Sequence, residues 1–289
     1  MRSSNPVFSR RGFSRDNGTA GFSATPQAGG PAVGTAQGNP YAQGATNPYA
    51  TNPYAQQDTQ YGAPQAPPRG SVMTMDDVVV RTGSTLGVLI AGATVAWVMD
   101  LGLGLAIGAA LVAMVLGLVQ AFKRKPVPAL ILTYAAFEGV FLGAISNYIN
   151  EYVAQGAAMQ AVLGTMAVFV TMLVLYKTRI IRVTQRFTRY LMIAAISFLV
   201  LTAVNLLFMV FGGGDGLGFR SGPMGILFGV VGVLLGAFFL ALDFKQVEDG
   251  IAYGAPREES WLAAFGLTMT LAWIYLEMLR LVAIFSGND

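Results

Sequence analysis

The chain has 289 residues, 54% of them apolar and only 11% charged, with a mean hydropathy of +0.55. A soluble domain carries about 25% charged residues, so this composition predicts an integral membrane protein. Cys and His are both absent, which excludes thiol nucleophiles, disulfides, Cys/His metal sites and imidazole bases together and leaves proton chemistry to carboxylates. The formal net charge of +3 is small. Because the basic residues cluster in particular loops, that charge reads as membrane topology and not as a nucleic-acid surface.

Met1 to about Thr74 is rich in Gly, Pro, Ala, Gln and Asn and poor in aliphatics. Such a stretch cannot bury enough surface to offset its ordering entropy, so a disordered cytoplasmic tail is expected over residues 1–74. Residues 1–70 lack a hydrophobic core segment, and no secretory signal is expected there. Asn-Pro-Tyr-Ala occurs at Asn39–Ala42, Asn47–Ala50 and Asn52–Ala55. Two readings stay open: a multivalent tyrosine motif that recruits a partner or self-associates, or a drifting linker. Arg2, Arg10, Arg11 and Arg15 could also touch anionic lipid.

Seven apolar runs follow over residues 75–289, each long enough for the roughly 20 residues of a spanning helix. They cover about Thr82–Met99, Leu101–Phe122, Val127–Ile149, Ala157–Tyr176, Tyr190–Phe211, Gly222–Phe244 and Trp261–Phe285. Only Asp100 and its neighbours separate the first two, which predicts a tight hairpin. Basic residues gather in the tail, at Lys123–Lys125, between Lys177 and Arg189, and at Lys245 and Arg257, and are nearly missing from the alternate connections. The positive-inside rule then puts the N-terminus in the cytoplasm and, with seven spans, the C-terminus outside. Small residues four apart, at Gly104/Gly108, Gly225/Gly229 and Gly232/Gly236, read as close helix packing in lipid.

A charge at mid-bilayer costs at least about 2.5 kcal/mol, so the carboxylates within the runs are candidate functional groups. Glu138 falls near mid-membrane in the third run, with no cation close in sequence. It is read as protonated, bonded to a neighbouring helix or lining a wet cavity, and so as a proton-responsive element. Asp243 ends the sixth run near the cytoplasmic side and is either an interfacial carboxylate or a functional one. Glu277 lies toward the outer side of the seventh run, with Arg280 on the same face. The two are either a tolerated intrahelical ion pair or part of a site. Thr270, two turns before Glu277, is the residue of that helix that Asp243 should face.

Gly212-Gly213-Gly214-Asp215 fits the Gly-x-Gly-Asp pattern of intramembrane aspartyl proteases, but the preceding run carries no acid to pair with Asp215. Neither a Walker-type loop nor a Gly-x-Ser-x-Gly elbow is present. No enzymatic activity, cofactor or metal is expected.

Asp243-Phe244-Lys245-Gln246-Val247, the run Gly266–Arg280 and Phe137-Glu138-Gly139-Val140-Phe141-Leu142-Gly143 resemble the sixth, seventh and third helices of the Bax-inhibitor-like family, including its bacterial YccA-type members. The resemblance covers about Met73–Phe285, and Met1–Val7 is similar to the opening of one bacterial branch. It implies a seven-helix bundle with a central seventh helix, placed in the bacterial cytoplasmic membrane. It also implies a link to cation leak, calcium above all, to stress or cell-death regulation and to membrane-protease quality control. In better-known members a hydrogen-bonded aspartate pair closes the pore and responds to pH. The first aspartate carries over as Asp243; the second falls at Thr270. Two close carboxylates sharing a proton make a pH switch, whereas an Asp with a Thr makes a hydrogen bond only. Either Glu277 supplies the second acid or the switch is absent.

The expected function is therefore a membrane protein with a pH-modulated cation leak gated near Asp243, its partners being the lipid bilayer and cations but no nucleic acid. A non-transporting regulator that binds other membrane proteins is the alternative. A proton-coupled transporter is disfavoured, since no pair of broken helices marks an inverted repeat.

Overall fold

The structure, a computed structural model, describes residues 72–212, 217–219 and 222–286, all within one compact unit, Pro64–Asp289. Among the described residues the fold is all-helical: α1 Met75–Val98, α2 Leu103–Phe122, α3 Pro128–Tyr152, α4 Ala157–Lys177, α5 Gln185–Gly212, α6 Gly222–Ala252 and α7 Ser260–Ser286. A 3₁₀ turn, Arg257–Glu259, leads into α7. All seven helices are long and apolar enough to span a membrane. The expected seven-helix bundle is thus the one found. The Asn-Pro-Tyr-Ala repeats and Gly213–Asp215 lie outside the described residues.

Helix ends differ from the apolar runs where local chemistry extends a helix beyond its greasy part. The first helix starts at Met75, not Thr82, because Thr74 and Asp77 form a capping box: the Asp77 amide donates to Thr74 Oγ1 at 3.2 Å and the Thr74 amide to the Asp77 carboxylate at 3.3 Å. The fifth starts at Gln185 and takes Arg186 and Arg189 into the helix. The largest correction concerns the sixth. Lys245 was expected to open a polar connection, yet the helix runs on to Ala252, with Lys245 and Asp249 paired at 2.6 Å one turn apart. It stops where Gly254 adopts φ +69°. The Ala255 amide bonds back to the Gly250 carbonyl at 2.8 Å and the Gly254 amide to that of Ile251 at 3.2 Å, which is the Schellman closure of a helix.

The same closure makes the expected α1–α2 hairpin. Asp100 sits at φ 47° and the Leu101 amide reaches the Ala96 carbonyl at 3.1 Å. Aspartate tolerates that left-handed conformation better than most residues, and its carboxylate here accepts a 2.8 Å bond from Asn147 Nδ2 of α3. Position and side chain together tie the hairpin to the end of α3.

The expected tail boundary at Thr74 moves back toward the N-terminus. Met73 is 3% exposed and its amide donates to the Ala255 carbonyl at 2.8 Å. Val72 bridges Pro256. Nearby, Arg257 Nε meets Asp77 at 2.7 Å and the Arg81 guanidinium lies 5.2 Å from the centre of the Trp261 ring. These contacts clasp the start of α1 to the start of α7.

Helix α7 is central, packed by α6, α4, α1 and α3, while α5 rests chiefly on α6. Two seams are drawn close by glycine, as helix association in lipid favours. On α6, a Cβ at Gly236 would stand 2.5 Å from Ile274 Cγ1 of α7 and one at Gly232 would stand 2.8 Å from Glu277 Cδ; one at Gly229 would strike Leu281. Between α1 and α3, Cβ atoms at Gly139 and Gly143 would land on the carbonyl oxygens of Leu89 and Ala93, and one at Gly92 would lie 2.6 Å from the Ala136 oxygen. Gly104 and Gly108, expected to pack in the same way, have nothing within 4 Å. The buried stripe of α2 is Ala106, Ala109, Ala113 and Gly117 instead, so these two glycines point away from α3.

Candidate functional site

Because α6 and α7 run antiparallel with glycine at their interface, polar groups on the two helices come within direct reach. Thr270 Oγ1 donates to Asp243 Oδ2 at 2.7 Å, and Gly266, one turn before Thr270, lies beside the carboxylate: a Cβ there would be in ordinary contact with Asp243 Oδ1 at 3.5 Å. The sequence placed Asp243 at the end of its helix. The structure corrects this, because α6 continues to Ala252, about 13 Å further at 1.5 Å per residue. Among the described residues no Lys or Arg is paired with Asp243. A carboxylate held by one neutral hydroxyl can bind or release a proton, or meet a cation, without first breaking an ion pair.

Glu277 does not stand in for a second acid. Its carboxylate packs against Gly232, three turns along α6 from Asp243, and Arg280 Nη2 meets Glu277 Oε2 at 2.5 Å. Glu277 is 8% exposed. The glycine notch gives this pair its room, since a Cβ at Gly229 would also sit 3.3 Å from Arg280 Nη2. Gly232 and Gly229 thereby turn an α6 surface that would repel two large side chains into one that holds them.

Glu138 is in neither pair. It lines a cavity of about 740 Å³ bounded by α3, α5 and α7, into which Glu277 and Arg280 also face. Its place on the cavity wall leaves open whether Glu138 is protonated there or faces water. Further along the α3–α7 contact, Tyr275 and Ser146 share a 2.7 Å hydrogen bond through their hydroxyls. The sequence analysis missed this cavity and its aromatic members Tyr134, Phe198 and Trp273. A signal was present: Tyr134, Glu138, Phe141, Ile145 and Ile149 recur at helical spacing, as do Met269, Trp273, Leu276 and Arg280. What the spacing alone leaves open is that α5 stands far enough from α3 to leave both stripes facing a gap.

A bundle of seven apolar spans that bridges its central helix to a neighbour through a carboxylate is a multi-pass membrane protein. The model of the family described as Bax inhibitor 1 like matches residues 5–287, and the chain belongs to that family. The match reaches well into the N-terminal stretch that the resemblance in the sequence touched only at Met1–Val7. No individually curated protein matches the chain.

Proposed function

We propose that the protein is a non-enzymatic pathway for a pH-modulated cation leak, calcium among the cations carried, with Asp243 as its gate residue. The proposal places it in a bacterial cytoplasmic membrane with the N-terminus inside and the C-terminus outside, and links it to stress responses. The observation that supports it is the Asp243–Thr270 hydrogen bond, which joins α6 to the central helix through two polar side chains with no Lys or Arg paired to Asp243 among the described residues. Ionised, Asp243 presents a charge that a passing cation would meet. Protonated, it keeps a partner in Thr270 and loses that charge. Family membership supports the membrane setting.

Cation flux into liposomes containing the purified full-length protein is the test. Asp243→Ala leaves the Thr270 hydroxyl to find another partner, at about 1 to 3 kcal/mol if it finds none, and should leak more than wild type at every pH. Asp243→Asn keeps shape and an acceptor and should abolish the pH dependence. Thr270→Asp sets two carboxylates side by side, so that they share a proton, and should sharpen the response. If all three variants match wild type from acidic to mildly alkaline pH, the gate reading fails and the regulatory-binding reading replaces it. A topology reporter after Asp289 should read as external and one between Arg179 and Arg189 as cytoplasmic; the opposite result at either site overturns the orientation.

A further inference from the structure

The cavity between α3, α5 and α7 has a composition that the gate does not use. Its walls are largely apolar and carry four aromatic side chains: Tyr134 and Phe141 on α3, Phe198 on α5 and Trp273 on α7. Phe198 and Trp273 stack with centroids 5.9 Å apart and ring planes 26° from parallel, which joins α5 to α7 through aromatic faces. Three charged groups face the same space. Glu277 and Arg280 neutralise each other at 2.5 Å, whereas among the described residues Glu138 is in no ion pair. The cavity therefore holds one carboxylate in excess among aromatic rings. Its volume of about 740 Å³ lies within the roughly 300 to 1,000 Å³ typical of small-molecule sites. Helices α3 and α5 barely touch, and the cavity occupies the gap between them.

From this arrangement we infer that the cavity is a binding site for an amphipathic organic cation, with Glu138 as its counter-ion and the four aromatic side chains as its walls. Aromatic faces attract cations, and do so more strongly when water is excluded. A carboxylate that lines an apolar cavity and is in no ion pair among the described residues gains most from a ligand that brings the missing charge. An inorganic cation would leave the apolar walls empty, and a neutral lipid chain would leave Glu138 uncompensated. A lipophilic cation satisfies both and can arrive from the bilayer. The inference does not rest on the leak reading, because Asp243 is outside the cavity.

Tetraphenylphosphonium, a rigid aromatic monocation, is the probe, and tetraphenylborate, of the same shape and opposite charge, is its control. Both would be titrated calorimetrically into full-length protein in lipid nanodiscs, with empty nanodiscs subtracted. Saturable binding of the cation alone is expected. Glu138→Gln should weaken it by about tenfold or more, as loss of a buried charge partner does. Thr202→Phe, which fills the cavity from α5 without touching any charge, should weaken it as well. Asp243→Asn should bind as wild type whether or not the protein conducts ions, which keeps this test separate from that of the gate. The inference is overturned if the cation shows no saturable binding, if tetraphenylborate binds equally well, or if either cavity variant binds as wild type. The comparison of cation with anion needs no variant and decides the matter even where a substitution fails to fold.

Discussion

Where α1 crosses α3 the glycines at the contact face backbone: Gly139 and Gly143 lie against the carbonyls of Leu89 and Ala93, and Gly92 against that of Ala136. On α6 they face side chains, with Gly229 against Leu281, Gly232 against Glu277 and Gly236 against Ile274. Both seams bring helices close, yet they differ in what can yield. A carbonyl oxygen in a helix is held by its own hydrogen-bond ladder and cannot step aside, while a side chain can change rotamer for roughly 0.5 to 1.5 kcal/mol. The α1–α3 pair is thus a fixed frame, and the α6–α7 pair is an adjustable joint. The Asp243–Thr270 bond lies on the joint, where a change of protonation can alter helix contact without breaking the frame.

The comparison breaks most readily at α3. Gly139→Ala or Gly143→Ala would drive a methyl into backbone, and overpacking that cannot relax exceeds the usual 1 to 3 kcal/mol. We expect either variant to lose about 3 kcal/mol or more and to yield little folded protein, as read by thermal melting in detergent. A variant that melts like wild type would show that the α1–α3 frame is not rigid.

Next in size is the clasp at the start of α1. A chain beginning at Ser71 should melt within about 0.5 kcal/mol of one beginning at Met1, since it keeps the buried Met73 side chain and the Thr74 cap and loses only a stretch whose composition is poor in aliphatics. Beginning at Met75 removes the buried Met73 side chain, worth about 1.5 to 3 kcal/mol, and the Thr74 cap, worth about 1 kcal/mol. The second truncation should therefore be distinctly less stable than the first. Equal melting of the two would show that Met73 contributes nothing.

Smaller still is the joint itself. Gly236→Ala meets Ile274 Cγ1 at 2.5 Å, and because Ile274 is fully buried and β-branched it yields only in part, so a loss of about 2 kcal/mol is expected. Gly232→Ala should cost a similar amount and also shift the Glu277–Arg280 pair. A loss as large as that at Gly139 would erase the distinction between frame and joint.

Much of this fold was legible in the sequence because hydropathy and length report directly on membrane spans: seven runs were expected and seven helices are found. The ends were less legible. Lys245, Glu248 and Asp249 are polar and yet helical, and hydropathy cannot separate a helix leaving the membrane from a loop. The Asp243–Thr270 register was accessible through the family resemblance, which set those two positions opposite each other. The cavity was not accessible, because Glu138 and the Glu277–Arg280 pair meet there only through the tertiary placement of α5. Spacing also misjudged Gly104 and Gly108, since it reports that a smooth helical face exists and not what lies against it.

That last point yields the smallest expected effect and the sharpest one for the comparison. Gly104 and Gly108 have the same four-residue spacing as Gly139 and Gly143 and as Gly232 and Gly236, but a Cβ at either position meets nothing within 4 Å. Alanine there should add a methyl in open space and, at Gly108 in the helix interior, gain as much as about 0.5 to 1 kcal/mol, with less at Gly104 in the first turn. Gly104→Ala and Gly108→Ala should thus melt at or slightly above wild type in detergent. If spacing alone caused the cost of substitution, they would instead fall with Gly236→Ala. If they are neutral in detergent but destabilising in a bilayer, that face of α2 is covered there by something other than this chain's own helices. Melting both variants in the two environments separates packing within the bundle from packing against its surroundings.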